Sequence, residues 1–433
     1  MTFRFRSAAL PGLTLLALSF STASQAGGLM TYAYATPNVG LANAGAAARA
    51  QGPDTMADNI AGLSYLEGTQ VSAGAEVLWS DLESSGLDTN VSGGNSGHAI
   101  KTTLIPSFFV SKQLDENWSL GFGSYSNFGT ALNYDNDWAG RYFLQNGSMV
   151  GMSLVPGAAY RFNDEWSLGF GLQAMYASTD DQLAIDTRST RFDPVADGKA
   201  QYKDSDWGYG GNLGLIYQPQ PGTRIGLNYT SKIDIDFEDR LKLTPPTGKA
   251  IDPAYKRLQG TKLGLSTEVP QTVTLSLYQQ LDPKWALLAS TNWQQWSQFG
   301  EFGIKIEPNA GGSDDLTLNS NFDDTWHASL GAQYQATPEW LWSAGLAYDS
   351  SAVSDSKRSW ALPMGETVTL GLGATVAMAE NSSLNVSYSL TSIDNWTIDS
   401  TKAKPDPADN QYVNGEISNN WIQVVSASMN WRF

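Results

Sequence analysis

The stretch Trp166-Ser-Leu-Gly-Phe-Gly-Leu-Gln-Ala-Met-Tyr176 alternates between two kinds of side chain. One side carries Leu168, Phe170, Leu172, Ala174 and Tyr176, and the other carries Gly169, Gly171, Gln173 and Met175. Successive side chains of a β-strand point to opposite faces, so one face of this strand is apolar and the other is small or polar. Residues 207–217 and 421–433 repeat the pattern. The repetition predicts an all-β, antiparallel fold.

Short polar connections separate pairs of these strands. Six of them can be identified in the sequence, at 112–117, 163–165, 218–223, 282–284, 337–339 and 380–383. Four lead directly into a tryptophan: Trp118, Trp166, Trp285 and Trp340. Two share a phrase, Asp-Glu-Asn-Trp-Ser-Leu-Gly-Phe-Gly at 115–123 and Asn-Asp-Glu-Trp-Ser-Leu-Gly-Phe-Gly at 163–171. A tryptophan just inside each tight turn is typical of the aromatic girdle at a membrane interface, and the shared phrase indicates a hairpin device.

Seven long polar stretches alternate with the short turns. They lie near 80–99, 129–147, 179–205, 238–267, 300–324, 350–365 and 391–420. Six turns and seven loops require fourteen strands, with the short turns on the periplasmic side and the long loops outside. The stretch 238–267 is long enough to hide another short strand, which leaves the count open by two. We therefore expect a transmembrane antiparallel β-barrel of about 14 strands over residues 69–433.

The N-terminus predicts export of the chain. Residues 1–26 carry Arg4 and Arg6, an apolar segment and Ser-Gln-Ala at the end, which is the pattern of a cleaved signal peptide. The full chain has no cysteine, and its 15 Trp, 18 Tyr, 16 Phe and 42 Gly are typical of a bacterial transmembrane barrel. The expected location is the outer membrane of a Gram-negative bacterium.

Residues 27–68 precede the first expected strand and are rich in small side chains. A barrel of fourteen strands is wider than its own side chains can fill. We therefore expect residues 27–68 to form a hatch that plugs the lumen, with a disordered periplasmic tail as the alternative. Within the hatch, Arg49 could pair with Asp54, with Asp58 or with a carboxylate of the barrel wall.

Charge and composition exclude several function classes. The formal net charge is −17, and loss of Arg4 and Arg6 with the signal peptide makes it −19, which argues against nucleic acid as a partner. The only two histidines, His98 and His327, are better explained as solvated or lumen residues than as catalytic bases. No Gly-x-Ser-x-Gly elbow and no metal-ligand spacing is present, so we expect no enzyme activity, metal or cofactor. The acidic run 135–137 is best explained as a plain loop.

Several phrases together resemble the FadL-type long-chain fatty acid transporters of the outer membrane. Asp-Asn-Ile-Ala-Gly at 58–62 is similar to the family's Asn-Pro-Ala hatch signature. Further similar phrases, in the family's order, are 206–217, 223–232, Asp-Pro-Lys-Trp at 282–285, Trp-Ser-Gln-Phe at 296–299 and Gly-Leu-Ala-Tyr-Asp-Ser at 345–350. The resemblance covers nearly the whole chain after the signal peptide.

The resemblance implies a passive transporter that binds hydrophobic cargo in a hatch-lined pocket and releases it sideways into the bilayer. Two departures stand out: Ile60 replaces the signature's proline, and Ser178 stands about where fatty-acid-transporting members have an arginine that contacts the carboxylate. Without a cation, burial of a carboxylate is costly. Neutral hydrocarbons are therefore the favoured cargo, with long-chain fatty acids as the alternative.

The sequence suggests three groups of candidate site residues. The substrate-binding candidates are Phe128, Phe143, Met149, Met152, Ser178, Trp296 and Phe299. The hatch candidates are Arg49, Asn59, Ile60, Ala61 and Gly62. The lateral-gate candidates, where glycines weaken the third strand, are Gly121, Gly123, Asn127 and Gly129. The same glycines could instead leave space for the hatch.

The expected partners follow from the membrane location. They are a hydrophobic small molecule or fatty acid, outer-membrane lipid and lipopolysaccharide, and the barrel-assembly machinery; the chain is expected to act as a monomer, without nucleic acid. An adhesin or phage receptor with functional loops is the rival interpretation, and a lipolytic barrel enzyme comes third.

Overall fold

The computed structural model describes residues 34–433 except 81, 98, 101, 186–196, 247–257, 310, 355–357, 361–364, 400–411 and 419. The signal-peptide prediction (1–26) and His98 lie outside the described residues. Strands are numbered in chain order. Fourteen form one antiparallel sheet: β1 (Thr69–Ser80), β3 (Thr103–Gln113), β4 (Trp118–Asn133), β5 (Asn146–Arg161), β6 (Trp166–Ile185), β7 (Gly198–Gln220), β8 (Thr223–Thr230), β12 (Thr272–Gln280), β13 (Trp285–Gln294), β16 (Thr325–Thr337), β17 (Trp340–Asp349), β18 (Thr367–Ala379), β19 (Ser382–Ile393) and β22 (Asn420–Arg432).

This sheet closes on itself as a barrel. The first strand pairs with the last, from Gln70 opposite Arg432 to Ser80 opposite Ile422, and β7 pairs with β8 to complete the ring. Side chains alternate between a buried inner face and an exposed outer face, as in β6. Closure gives each of these fourteen strands a neighbouring strand on both sides, as a lipid environment requires. The predicted 14-strand barrel is confirmed.

Three of the short turns share one hydrogen-bonding device. Asp115 Oδ1 accepts from the backbone N–H groups of Asn117 (2.8 Å) and Trp118 (2.7 Å). Asn163 does the same for Trp166, and Asp282 for Trp285, so the side chain mimics a backbone turn. The tryptophans that follow are 38–45% exposed on the outer face. The repeated phrase is thus a hairpin device with an aromatic girdle, as predicted.

The outer end of the barrel is more structured than expected. β6 continues to Ile185 and β7 begins at Gly198, so most of the expected loop 179–205 is strand. The stretch 238–267 contains three strand segments outside the ring. The strands beyond the ring are β2 (Glu83–Thr89), β9 (Ile233–Arg240), β10 (Lys242–Thr244), β11 (Lys262–Val269), β14 (Glu301–Glu307), β15 (Asp314–Asn319), β20 (Trp396–Asp399) and β21 (Val413–Ser418).

These outer strands form two small sheets and one added strand. The order β15-β14-β11-β9 makes a four-stranded sheet, β2-β21-β20 makes a three-stranded sheet, and β10 extends the main sheet from β7. The strand ends that rise above the membrane face water, so they carry Asp, Gln and Lys and lose the apolar alternation on which the sequence reading depended. For this reason the sequence pattern predicted loops where these strands lie.

Among the described residues before β1 there are four short helical segments: α1 (Thr36–Leu41), α2 (Ala46–Arg49), α3 (Thr55–Asp58) and a 3-10 helix (Ile60–Tyr65). The helix α4 (Trp296–Phe299) follows β13. Within the described residues, no helix has both the length and the apolar character needed to cross a membrane.

Candidate functional site

The segment between residues 34 and 66 lies inside the barrel and contacts opposite walls. α1 packs against β17, β18 and β19, α2 packs against β8 and β12, and the 3-10 helix packs against β5 and β6. Most side chains of the segment are buried, including those of Leu41, Ala48 and Leu63, which have no exposed surface. The lumen is therefore plugged, as the sequence led us to expect.

Lumen-facing glycines let the hatch backbone approach the wall. A Cβ atom at Gly345 would overlap the carbonyl oxygen of Leu41, and one at Gly226 would overlap the carbonyl oxygen of Ala47. A Cβ atom at Gly169 would overlap the backbone nitrogen of Ala61. Glycine in a strand often marks such a close backbone approach. The small side of the sequence alternation is thus the side that seats the hatch.

A buried polar network holds the hatch together. Arg49 forms an ion pair with Asp54 (2.8 Å) and donates to Asn38 Oδ1 (3.0 Å). Asn38 in turn donates to both carboxylate oxygens of Asp58 (3.0 and 3.1 Å), which also accepts from the Tyr34 hydroxyl (2.9 Å). Burial raises the pKa of Asp58 to about 6, although the nearby Arg49 guanidinium and the Asn38 hydrogen bond lower it.

The hatch signature joins the plug to the wall. Asn59 Oδ1 accepts from the Ala61 N–H (3.1 Å) and caps the 3-10 helix, while its Nδ2 donates to the carbonyl oxygens of Ala47 (2.8 Å) and Leu215 (3.1 Å). Ile60 is 1% exposed and packs over two wall glycines, so its bulk fills space there. A Cβ atom at Gly62 would overlap the Thr55 hydroxyl, so this position requires glycine.

Strand β4 contains a bulge at the level of the hatch. Tyr125 pairs with Ser153 on β5, but the next paired residue is Phe128, opposite Gly151. Ser126 and Asn127 therefore oppose the single residue Met152. The extra residue places both Asn127 (7% exposed) and Phe128 (1% exposed) on the inner side, where strict alternation would turn one of them outward.

The pairing between β3 and β4 is interrupted beside this bulge. Continuous pairs run from Gln113–Ser119 to Phe108–Ser124. Among the described residues, the next pairing outward is an isolated bridge between Leu132 of β4 and Ile100, which precedes β3. The wall thus has an opening in its hydrogen bonding that is bounded by a paired segment below and a bridge above.

The four gate candidates divide into two pairs. Gly121 and Gly123 lie in the regularly paired part of β4, where a Cβ atom at Gly121 would overlap Met56 of the hatch. Gly123 lies against the rings of Phe109 and Tyr125. Asn127 belongs to the bulge itself, and Gly129 follows it with a φ of 138°, a conformation that favours glycine. The first pair therefore provides space, and only the second marks the irregularity.

Four of the seven substrate-binding candidates meet in one apolar cluster at the outer end of the lumen. They are Phe128, Met149, Trp296 and Phe299, and each is at most 1% exposed. The Phe299 ring lies 6.0 Å from that of Phe128 and 5.1 Å from that of Trp296. Sequence reasoning missed other members of the cluster, among them Ile235 and Phe237 of β9, Phe302 and Ile304 of β14, and Phe322. Phe302, Ile304 and Phe322 lay inside a stretch that was assigned to a loop, 300–324.

The other three candidates lie elsewhere. Phe143 packs in a second outer cluster with Trp138 and Trp360. Met152 is 37% exposed on the outer face of the barrel. Ser178 also lies on the outer face, opposite Val150, because the inward residues around it are Ala177 and Thr179. Ser178 therefore does not occupy a lumen position, and the cargo argument drawn from it was wrong.

Arg141 and His327 have structural partners. Arg141 is 0% exposed, forms an ion pair with Asp197 (2.6 Å) and donates to the Ser92 carbonyl oxygen (2.6 Å). His327 Nδ1 lies 2.8 Å from Asp349 Oδ1 on the inner face. The described residues contain no group of three or more His, Cys, Asp or Glu side chains able to hold a metal ion.

A small cavity of about 30 Å³ lies between the hatch and the wall, next to the bulge. Its lining comes from the hatch and from β4, β8, β12 and β13, and consists of Tyr34, Asn43, Ala46, Ala57, Asp58, Tyr125, Asn127, Asn228, Thr230, Thr272, Thr274, Asn292 and Gln294. At roughly 10–15 Å³ for each water, it holds about two water molecules.

Comparison with solved structures shows similarity to this fold. A FadL homologue from Pseudomonas aeruginosa superimposes with a TM-score of 0.82 at 18% identity, covering 94% of this chain and 99% of that one. The toluene transporter TodX from P. putida gives a TM-score of 0.70 at 17% identity, covering 93% and 99%.

Comparison with curated proteins gives relatives of higher sequence identity. A long-chain fatty acid transport protein of Escherichia coli O6:H1 is 26% identical over 396 residues, covering 85% of this chain and 87% of its own length. Outer membrane protein P1 of Haemophilus influenzae is 29% identical over 392 residues, covering 82% and 83%. The family model described as outer membrane protein transport protein (OMPP1/FadL/TodX) matches residues 17–433. The chain is therefore a member of this outer-membrane transport family, whose characterised relatives are transporters and not enzymes.

Proposed function

We propose that this chain takes up hydrophobic compounds passively across the outer membrane and releases them sideways into the bilayer. The cargo is a long-chain fatty acid or a neutral hydrocarbon, the two classes for which relatives of this chain are named. The observation that carries the proposal is the opening between β3 and β4, which adjoins the outer apolar cluster through Phe128.

The outer cluster provides the driving force for capture. Its aromatic and methionine side chains offer an apolar surface at the mouth of the barrel, and burial of cargo there gains about 25 cal/mol per Å² of apolar area removed from water. The polar surface of the outer leaflet keeps such cargo from dissolving directly into the membrane. A binding surface in front of the opening bypasses that barrier.

The opening provides the exit. Backbone groups of β3 and β4 that lack a partner strand are costly in lipid unless protein or cargo covers them. Tyr125 and Phe128 lie behind the opening, and Tyr34 of the hatch packs against Tyr125 with ring centroids 5.4 Å apart. Movement of the hatch would therefore uncover a path from the cluster to the bilayer.

The proposal assigns residues 27–68 to the hatch and 69–433 to the barrel. It also treats the chain as a monomer that is inserted by the barrel-assembly machinery and surrounded by lipid and lipopolysaccharide. Because Ser178 lies on the outer face, the preference for neutral cargo loses its original support, and the proposal includes both cargo classes.

The test separates binding from uptake. Ser126 is the outward residue of the bulge, so Ser126→Trp should cover the opening from the lipid side. We expect uptake of a labelled fatty acid and of toluene to fall about tenfold in cells that express the variant, with binding to the purified protein retained. Ser178→Trp is the matched control, because Ser178 lies on the same outer face but in a strand paired on both sides. Uptake equal in the Ser126→Trp variant and the control would contradict sideways release.

A further inference from the structure

The cavity between hatch and wall contains hydrogen-bond acceptors without donors. The side-chain oxygens of Asn43, Asn228 and Asn292 are buried and have no hydrogen-bond partner among the residues that the structure describes. These three residues are 3%, 5% and 5% exposed, and all three line the cavity. An acceptor left unpaired in a buried site is destabilising, so the site is complete only when an occupant donates hydrogen bonds.

The orientation of the Asn228 amide is set by a directional series of hydrogen bonds. Its Nδ2 donates to the Thr230 hydroxyl (3.3 Å), whose own proton is directed to Asn212 Oδ1 (2.8 Å). The series then continues from strand to strand along the wall. Asn212 donates to Gln173, Gln173 donates to Ser153, and Ser153 donates to Asn127. Rotation of the Asn228 amide would place its carbonyl oxygen against an oxygen whose proton is already used. Asn228 therefore presents an acceptor to the cavity.

The Asn292 amide lies on the neighbouring strand β13 and has a side-chain partner on β12. Its Nδ2 donates to Thr274 Oγ1 at 2.6 Å, which leaves Oδ1 as the unpartnered atom. Asn43 comes from the hatch, so the acceptors belong to both sides of the space between plug and wall. An occupant that donates to both sides would join them.

The lining disfavours an anion. None of the described residues that line the cavity is a lysine, an arginine or a histidine. Asp58, the ionisable carboxyl group of the lining, has its oxygens occupied by Asn38 and Tyr34. A carboxylate headgroup would be buried beside the Asp58 carboxyl group and the three asparagine oxygens, without a compensating cation in the lining.

The bulge connects this polar cavity to the apolar cluster. Asn127 lines the cavity, and the next residue, Phe128, belongs to the cluster. Both side chains lie on the inner face because of the extra residue in β4. One amphiphilic molecule could therefore place a polar group and an apolar chain on the two sides of this boundary.

We propose that the cavity binds the neutral, hydrogen-bond-donating headgroup of the cargo, as found in a long-chain alcohol or an undissociated fatty acid, with the tail in the apolar cluster. This inference rests on the proposed function and narrows its substrate class. A cavity that holds about two water molecules matches a hydroxyl or a carboxyl group in size.

The first experiment needs no variant. Hexadecane, hexadecanol, hexadecanoate and hexadecylamine compete for a bound neutral fluorescent probe on the purified, detergent-solubilised protein at about pH 9, where the acid is ionised. We expect hexadecanol to compete about tenfold more strongly than hexadecane and than hexadecanoate. As the pH is lowered and the acid becomes protonated, hexadecanoate should compete almost as strongly as hexadecanol. The same change is expected in Asp58→Asn, a variant that removes the titratable carboxyl group of the hatch.

The second experiment removes the acceptors. Asn228→Leu/Asn292→Leu should lower the ratio of hexadecanol to hexadecane affinity about tenfold, and comparison with the wild-type ratio cancels the different partition of the two ligands into detergent. Asn385→Leu is the matched control, because Asn385 is a buried lumen residue of β19 outside the cavity lining, and its ratio should equal the wild-type ratio. Heat-modifiable migration establishes that each variant is folded.

The outcomes separate the two proposals. Equal competition by hexadecane and hexadecanol, or an unchanged ratio in the folded double variant, would overturn the headgroup site and leave hydrophobic uptake standing. Stronger competition by hexadecanoate at high pH, or by hexadecylamine, would overturn it in favour of an ionic site. Failure of all four ligands to compete would reject the proposed function itself.

Discussion

The two halves of strand β4, which is sixteen residues long, differ in their pairing and in what they contact. The inner half, up to Ser124, pairs with β3 and β5 in continuous register and lies against apolar hatch residues such as Met56. The outer half, after the bulge, keeps β5 as its partner but leaves β3 until the bridge at Leu132. One half anchors the plug, and the other half borders an opening.

The difference depends on one additional residue. Without it, β4 and β5 would remain in register, and β3 could continue its pairing outward. With it, the strand bends and two consecutive side chains lie on the inner face. Glycine content alone does not separate the halves, because Gly121 and Gly123 lie in the regular half.

The strongest way to abolish the difference is to delete Asn127. Ser126 would then oppose Met152 and Phe128 would still oppose Gly151, so the two strands would pair without a bulge. We expect uptake of hydrophobic cargo to fall by about tenfold or more, since the opening closes when pairing with β3 is restored. Uptake assays in whole cells measure this, and heat-modifiable migration reports an intact barrel. Wild-type uptake by a folded deletion variant would mean that the bulge is not the exit.

The inner half can be tested by Gly121→Val. The new side chain would collide with Met56 and Leu63 of the hatch, at an expected cost of about 1–3 kcal/mol in hatch docking. Hydrogen exchange of the hatch amides and ion leakage through planar bilayers should both increase. Gly211→Val is the matched control, because the nearest atom to a Cβ there is 3.4 Å away. Equal exchange in the two variants would argue against hatch anchoring by the inner half.

Acidification should affect the hatch beneath the outer half. The pKa of Asp58 is about 6 in the docked hatch, above its ordinary value, so docking binds a proton that the undocked segment does not hold near neutral pH. The stabilisation from this proton is complete below the ordinary pKa and is lost as the pH rises through about 6. Docking should therefore strengthen by about 1 kcal/mol between pH 7 and pH 5. Amide exchange around residues 55–58 measures the change, and Asp58→Asn should remove it; a pH response that persists in this variant would assign it to another group.

The sequence predicted the parts of the fold that repeat. Alternation recurs along the barrel strands, and an Asp- or Asn-to-tryptophan turn recurs at three hairpins, so the strand count and the girdle could be predicted. A bulge is a single event with no repeating signal, so the inward position of Phe128 could be nominated but not explained. Ser178 was misplaced for a related reason: a one-residue error in register turns every side chain of a strand to the other face.

The hatch illustrates the same limit. Its ion pair between Arg49 and Asp54 was among the partners suggested by proximity in the sequence. The roles of Gly226 and Gly345 could not be predicted, because the reason for a glycine on a strand becomes clear only when the backbone that it faces is known. The headgroup cavity was not predicted from the sequence, because its asparagines come from separated strands and from the hatch.

The seam between β1 and β22 constrains how this protein is made. The strand that directly follows the hatch finds one of its partners only in the final segment of the chain, and the seats for the hatch lie on strands throughout the sequence. Contacts this distant along the chain carry a large loop-closure cost and form late in folding. The plug therefore cannot be fully seated while synthesis is in progress, and ring closure and plugging become a single late step. A cell that exports this protein must keep its small, apolar N-terminal segment from aggregating until the last strand arrives.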